Sequence, residues 1–194
     1  MTPERYDKLI KVLHQRQPNL TVVMENVLDP HNVSAVLRTC EAVGIQDVYV
    51  LTSRIPKYER FGPKSSSSAM KWVTVHEFDD IEKCVTALRK KYKTILTTHL
   101  STDAVSVYDI DFTESVALIF GNEHAGVTDE LRGYADGNFI IPQMGIIQSL
   151  NISVACAISI YEAMRQKIKA GHYAQNSLPP EQLASLKKEW GFYE

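Results

Sequence analysis

The sequence predicts an α/β protein: a mostly parallel sheet with helices on both faces. Two observations predict it. From Leu20 to Met164, short runs rich in β-branched residues alternate with segments of helical periodicity, the pattern of strand–helix–strand units. Three polar clusters also fall just after strand ends, where open α/β sheets bind ligands. The sequence holds no internal repeat, no P-loop and no G-x-G-x-x-G run, so it lacks the usual dinucleotide fingerprint.

Pro3 opens a helix to about Arg16, with Tyr6, Leu9, Ile10 and Leu13 on one face. Gln17-Pro18-Asn19 breaks it, and Leu20 to Met24 is a first strand. Asp29-Pro30-His31-Asn32 turns the chain, placing Asn32 to cap a helix from Val33 to Val43 that Gly44 ends. Asp47 to Leu51 is the second strand. A long basic loop follows, carrying Ser65 to Ser68. The serines fit a flexible linker, but Ala69-Met70-Lys71-Trp72 resumes at once, which favours a short helix or a loop that orders on binding. Trp72 to Val75 is the third strand, Asp79 or Asp80 caps a helix to Lys91, and Thr94 to Thr98 is the fourth. Tyr108-Asp109 lies in a connection before the fifth strand, Val116 to Phe120. Gly121 to Gly126 is then a glycine-bounded loop, and Thr128 starts a short helix to Tyr134. Phe139 to Ile141 is the sixth strand, stopped by Pro142. The next helix has apolar residues at 150, 154, 157, 158, 161 and 164, with small residues between them. Apolar on nearly every side, it is expected to be buried. Pro179-Pro180 separates a last amphipathic helix, Glu181 to Trp190.

At 194 residues, with 44% hydrophobic and 23% charged residues, the chain has the composition of an ordinary globular domain. No apolar run approaches the roughly 20 residues that span a bilayer, and the N-terminal segment lacks the apolar stretch of a signal peptide. Cys40, Cys84 and Cys156 are too far apart for a metal pattern or a disulfide framework. The expectation is a cytoplasmic protein with no membrane partner and no metal. Net charge is only -2, but it is unevenly spread. Arg54, Lys57, Arg60, Lys64 and Lys71 face Glu59 alone in their segment, and Arg5, Lys8, Lys11 and Arg16 cluster near the start. Such basic segments suit RNA phosphates, or they are merely solvated faces.

The first polar cluster is Asn32 to Thr39. Arg38, in an otherwise apolar helix, either meets an anion, for which its planar fork is suited, or pairs with Glu41 or a distant acid. The second is Gly121 to Gly126, where glycines let a ligand approach backbone and Glu123 is the one carboxylate, unless the loop is a simple surface turn. The third is Gln148 to Asn151 at a helix start, which fits ligand binding or a plain N-cap by Ser149.

The motifs N-x-x-A-x-x-R-T-C, F-G-N-E-H-A-G and I-P-Q-M-G-x-x-Q-S-L-N-x-S-V-A, in order from Asn32, resemble the three motifs of the SpoU/TrmH branch of the SPOUT RNA methyltransferases. The flanking R-Q-P-N-L-T-V, P-H-N and Q-S-L-N resemble in particular its members that methylate the ribose of guanosine 18 in tRNA. The resemblance implies a C-terminal deep trefoil knot, S-adenosyl-L-methionine as cofactor, a homodimer, and tRNA rather than DNA as partner. It divides the chain into an N-terminal helical extension (1–19), the methyltransferase domain (20–170) and a tail helix (171–194). It assigns cofactor contacts to Leu96, Thr97, Gly121, Ile141, Met144, Ser149 and Leu150, and catalytic or substrate roles to Asn32, Arg38, Glu123, Ser149 and Asn151. Gly145-Ile146-Ile147 departs from the methionine and valine of many relatives, a volume-preserving change. Alternatives are another tRNA position, ribosomal RNA, or an RNA-binding relative without turnover. Asn32 is expected to hold Arg38 or the ribose, and Glu123 to fix Asn32 or Arg38. Arg38 is either the general base or a cationic clamp, since a guanidinium rarely gives up its proton.

Overall fold

The computed structural model describes residues 1–58 and 69–192; Arg60, Lys64 and the serine run lie outside them. Seven strands form a sheet in the order β3-β2-β1-β6-β4-β7-β5, every neighbouring pair parallel. They are β1 (Leu20–Glu25), β2 (Asp47–Leu51), β3 (Thr74–Phe78), β4 (Thr94–Thr98), β5 (Val105–Ser106), β6 (Val116–Phe120) and β7 (Gly137–Ile140). The helices are α1 (Pro3–His14), α2 (Pro30–Ala42), α3 (Ile81–Arg89), α4 (Asp129–Arg132), α5 (Ile152–Lys169) and α6 (Pro180–Glu189).

Every residue of β1, β2 and β6 is buried, because alternate side chains feed two cores. Leu20, Val22, Met24, Val48 and Val50 pack with Val33 and Leu37 of α2 and with Cys156 and Ile160 of α5. On the other face Val23, Tyr49 and Leu51 pack with Cys84 and Leu88 of α3 and with Leu131. Burial on both faces is what parallel sheets require. A third cluster joins Leu9 and Leu13 of α1 to Leu186 and Trp190 at α6.

Four local expectations need correction. Asp29, not Asn32, caps α2, its carboxylate accepting from the His31 amide at 2.8 Å, with Pro30 at the first helical position. Asn32 is thereby left inside the first turn with a side chain that the cap does not use. The third strand begins at Thr74, because Ala69–Lys71 forms a 3₁₀ turn first. The two-residue β5 lacked a sequence signal of its own and exists by pairing with β7. Finally, α5 is not buried all round. It turns Ile152, Cys156, Ile160 and Ala163 inward, while Val154, Tyr161 and Ile168 are 46%, 51% and 53% exposed. Their spacing of seven puts them on one face.

Candidate active site

The C-terminal ends of β4, β6 and β7 open onto a cavity of about 570 Å³, within the size range of small-molecule sites. Phe120, Phe139, Ile141 and Leu150 give it apolar walls; Asn122, Glu123, Ser149 and Asn151 bring polar groups. Two of the three polar segments singled out in the sequence line it, and the first reaches them through Asn32.

What joins them is a chain of hydrogen bonds. Glu123 accepts from the backbone amides of Leu28 (3.0 Å) and Asp29 (3.3 Å) and from Asn32 Nδ2 (3.0 Å). A carboxylate only accepts, so it fixes the Asn32 amide with Oδ1 pointing away. That Oδ1 accepts from Asn151 Nδ2 at 3.1 Å. Asn151 in turn caps α5, its Oδ1 accepting from the Ser153 amide at 2.8 Å. The reading of Ser149 as a cap is thus replaced by Asn151, and Ser149 is left facing the cavity. Partial burial pushes the Glu123 carboxyl up, but the Leu28 amide and Asn32 outweigh it and hold it below its ordinary range.

The glycine-bounded loop requires Gly121 for a steric reason. A Cβ on Gly121 would lie 2.1 Å from the backbone carbon of Gly126, so no other residue fits without moving the loop. Gly126 sits at φ +68°, the left-handed region that glycine adopts freely. Asn122 braces the turn: its Nδ2 donates to the Asn26 carbonyl at 2.8 Å, and its Oδ1 accepts from the His124 and Ala125 amides, both at 2.9 Å. Asn122 stood within the quoted motif but was not singled out; its signal was an Asn just inside a glycine-bounded loop.

The other assigned residues divide. Gly121, Ile141, Ser149 and Leu150 line the cavity; Met144 projects from its loop, 97% exposed. Leu96 and Thr97 lie outside the lining. Leu96 packs in the core, and the Thr97 hydroxyl donates to Asn138 Oδ1 at 2.6 Å. The cavity instead takes Thr98, His99 and Leu100, the next residues beyond that strand. Arg38 is exposed on α2, does not line the cavity of its own chain, and makes no hydrogen bond or ion pair among the described residues, Glu41 included.

Among the basic residues, Arg5, Lys8, Lys11 and Lys71 are exposed. Lys57 pairs with Asp79 at 3.0 Å and Arg54 with Glu130 at 3.9 Å, all on the surface. Arg16 contradicts its expected role as an RNA contact: its side chain is fully buried. It donates to the carbonyls of Glu41, Ile45 and Trp72, pairs with the Glu41 carboxylate at 3.4 Å and stacks over Trp190. Burial lowers its proton affinity, which Glu41 partly restores.

The chain matches the SpoU rRNA methylase family over residues 19–161. It is 38% identical over 191 residues to a tRNA (guanosine(18)-2′-O)-methyltransferase of Thermus thermophilus, covering 97% of this chain and 96% of that one. The fold superposes with a TM-score of 0.89 on the TrmH/SpoU tRNA modifying enzyme of Aquifex aeolicus, at 34% identity over 97% of this chain and 95% of that one. It also resembles AviRb, a SpoU methyltransferase of Streptomyces viridochromogenes solved with the cofactor AdoMet, with a TM-score of 0.68 and 25% identity over 80% of this chain and 59% of that one. A parallel sheet that sets the second and third motifs around one cavity and ties the first to them through Asn32, together with these likenesses along nearly the whole chain, leads to one conclusion: this protein belongs to the SpoU rRNA methylase family.

Proposed function

We propose that the protein transfers a methyl group from S-adenosylmethionine to the ribose 2′-hydroxyl of guanosine 18 in tRNA. The observation that carries this is the hydrogen-bonded chain Glu123–Asn32–Asn151 beside a cavity of cofactor size. The near full-length likeness to a guanosine-18 methyltransferase selects tRNA over ribosomal RNA.

The cavity residues fit the cofactor: apolar walls suit a nucleoside, the tight Gly121 turn brings backbone amides close, and Ser149 and Asn122 offer polar contacts. The cofactor would supply a sulfonium methyl to the ribose oxygen, its sulfur leaving as a neutral thioether and the hydroxyl proton passing to solvent. The chain contributes orientation and electrostatics. Asn151 and Ser149 position the ribose, and Glu123 holds Asn32 and so Asn151 in place. Arg38 acts as a cation that clamps substrate phosphate and stabilises the forming alkoxide.

Because Arg38 lies outside the cavity of its own chain, the reading includes a homodimer in which a second copy brings arginine and cavity together. The apolar face of α5 (Val154, Tyr161, Ile168) supplies the surface for it. The rest of the reading is a trefoil knot through the loop that joins β7 to α5, a methyltransferase domain at 20–170 flanked by helical additions, and work in the cytoplasm. No helix of the described residues is long and apolar enough to cross a membrane. The exposed Arg5, Lys8 and Lys11 of α1, with Arg54, Lys57 and Lys71, offer phosphate contacts. The test is methyl transfer to tRNA and ribosomal RNA, with the product nucleoside mapped. Arg38→Ala is expected to abolish transfer while cofactor affinity stays within about threefold of wild type. Substantial turnover in that variant would remove Arg38 from the chemistry.

A further inference from the structure

We propose that Arg132 is a positioning residue of the cofactor cavity, acting through His99, which it converts into a fixed hydrogen-bond donor. This rests on the reading of the cavity as the cofactor site. His99 lines that cavity just beyond β4. Behind it, Arg132 at the end of α4 directs Nη1 at His99 Nε2, while its Nη2 is held by Asp129. The Arg132 side chain is largely enclosed, 28% exposed, and its Nε is buried with no partner among the described residues.

The chemistry follows from the donor inventory. Arginine carries N–H donors and no acceptor, so His99 Nε2 must be the acceptor in this contact. A neutral imidazole with an accepting Nε2 carries its one hydrogen on Nδ1. The choice of tautomer is thus made by a residue that does not line the cavity. His99 meets its ligand with a single kind of group, an Nδ1–H, as a second layer of hydrogen bonding commonly arranges at working histidines. That donor suits an acceptor of the cofactor, either the carboxylate of its amino-acid half or an acceptor on its adenosine half. The Asp129 contact holds the guanidinium so that its fork stays aimed at the ring.

The test uses the full-length protein and calorimetric titration with S-adenosylhomocysteine. His99→Ala and Arg132→Ala are each expected to weaken binding about tenfold, read also as a raised KM for S-adenosylmethionine, with the KM for tRNA of Arg132→Ala close to wild type. The double variant is expected to be no weaker than His99→Ala alone, since one residue acts through the other. His99→Asn, whose amide places a donor near the Nδ1 position, and Arg132→Gln, which keeps a donor toward Nε2, are expected to recover most of the affinity. They also keep the test usable if the alanine variants fold poorly. Titration with 5′-methylthioadenosine, which lacks the carboxylate, locates the acceptor. A penalty for His99→Ala that persists places it on the adenosine half, and one that vanishes places it on the amino-acid half. Unchanged affinity in Arg132→Ala, or losses that add in the double variant, overturns the proposal. Leu150→Trp separates the two levels. If it blocks binding while Arg132→Ala does not, only the pair is wrong; if it leaves binding intact, the cavity is not the cofactor site.

Discussion

At the scale of single residues, Glu123 and Lys167 are charged groups in opposite settings, the first exposed and held by three donors, the second buried. Glu123 has two carboxylate oxygens serving three donors. Glu123→Gln keeps one acceptor oxygen and puts an N–H2 donor in place of the other, so either the Leu28 amide or the Asp29 amide and Asn32 face a donor instead of an acceptor. Bonds to a charged group are worth about 1.5–3 kcal/mol each. The expected result is a fall in kcat of roughly 10- to 100-fold, read by single-turnover methyl transfer, with cofactor affinity changed far less. Lys167 is fully buried on α5, donating to Asn19 Oδ1 at 2.9 Å. Burial pushes its ammonium down to about 8, with Asp111 opposing. The folded value lies below that of a free lysine, about 10.4, so the native state sheds its proton first. The contribution of Lys167 to stability therefore rises with pH from about 8 to about 10.4. The buried thiol of Cys84, pushed up to about 12, pulls the other way over the alkaline range. The clean readout is a difference: Lys167→Met is expected to raise Tm by roughly 2–4 °C at pH 7, an advantage that shrinks by pH 10. A gap that is constant with pH would show that Lys167 does not titrate as described.

At the scale of elements, Arg16 is the fastening of α1. Its guanidinium reaches the C-terminal end of α2 at Glu41, the chain just beyond it at Ile45, the 3₁₀ turn at Trp72 and the ring of Trp190 after α6. Four separate segments thus depend on one planar fork, which lysine cannot imitate. Arg16→Met is expected to cost about 2–4 kcal/mol in denaturant unfolding, while the folded variant binds tRNA as wild type does. A weakened tRNA complex at unchanged stability would return Arg16 to the RNA-contact group. The start of α5 is an element-scale device too. Its cap, Asn151, is tied through Asn32 to α2 and to the loop after β6, so capping and site assembly are one set of bonds.

At the scale of the whole molecule, the exposed stripe of α5 is the feature a single chain leaves unfinished. Val154, Tyr161 and Ile168 align on one face of a helix whose other face is core, and contiguous exposed apolar surface marks an interaction site. Val154→Asp with Tyr161→Glu is expected to give a monomer by light scattering, folded by circular dichroism and at least 100-fold slower in methyl transfer. A monomer of full activity would show that Arg38 needs no second copy.

The sequence by itself determined the α/β class, most strand positions and the three segments that form the site, because these depend on period, branching and turn residues within a few positions of one another. It also carried the glycine turn at Gly121 and the polar start of α5. It misplaced the cap of α2, because Asp29 and Asn32 are both good caps and only the tertiary partner Glu123 decides which side chain is free. It assigned Arg16 to the surface, since a cation at a helix end looks the same whether solvent or four distant segments receive it. It placed the β4 contribution at Leu96 and Thr97, where the structure brings Thr98 to Leu100 to the cavity. Nor did it reveal the contact between Arg132 and His99, which lie thirty-three positions apart. Those matters belong to tertiary structure because each depends on which groups the folded chain brings together, and long-range proximity leaves no periodic trace in one sequence.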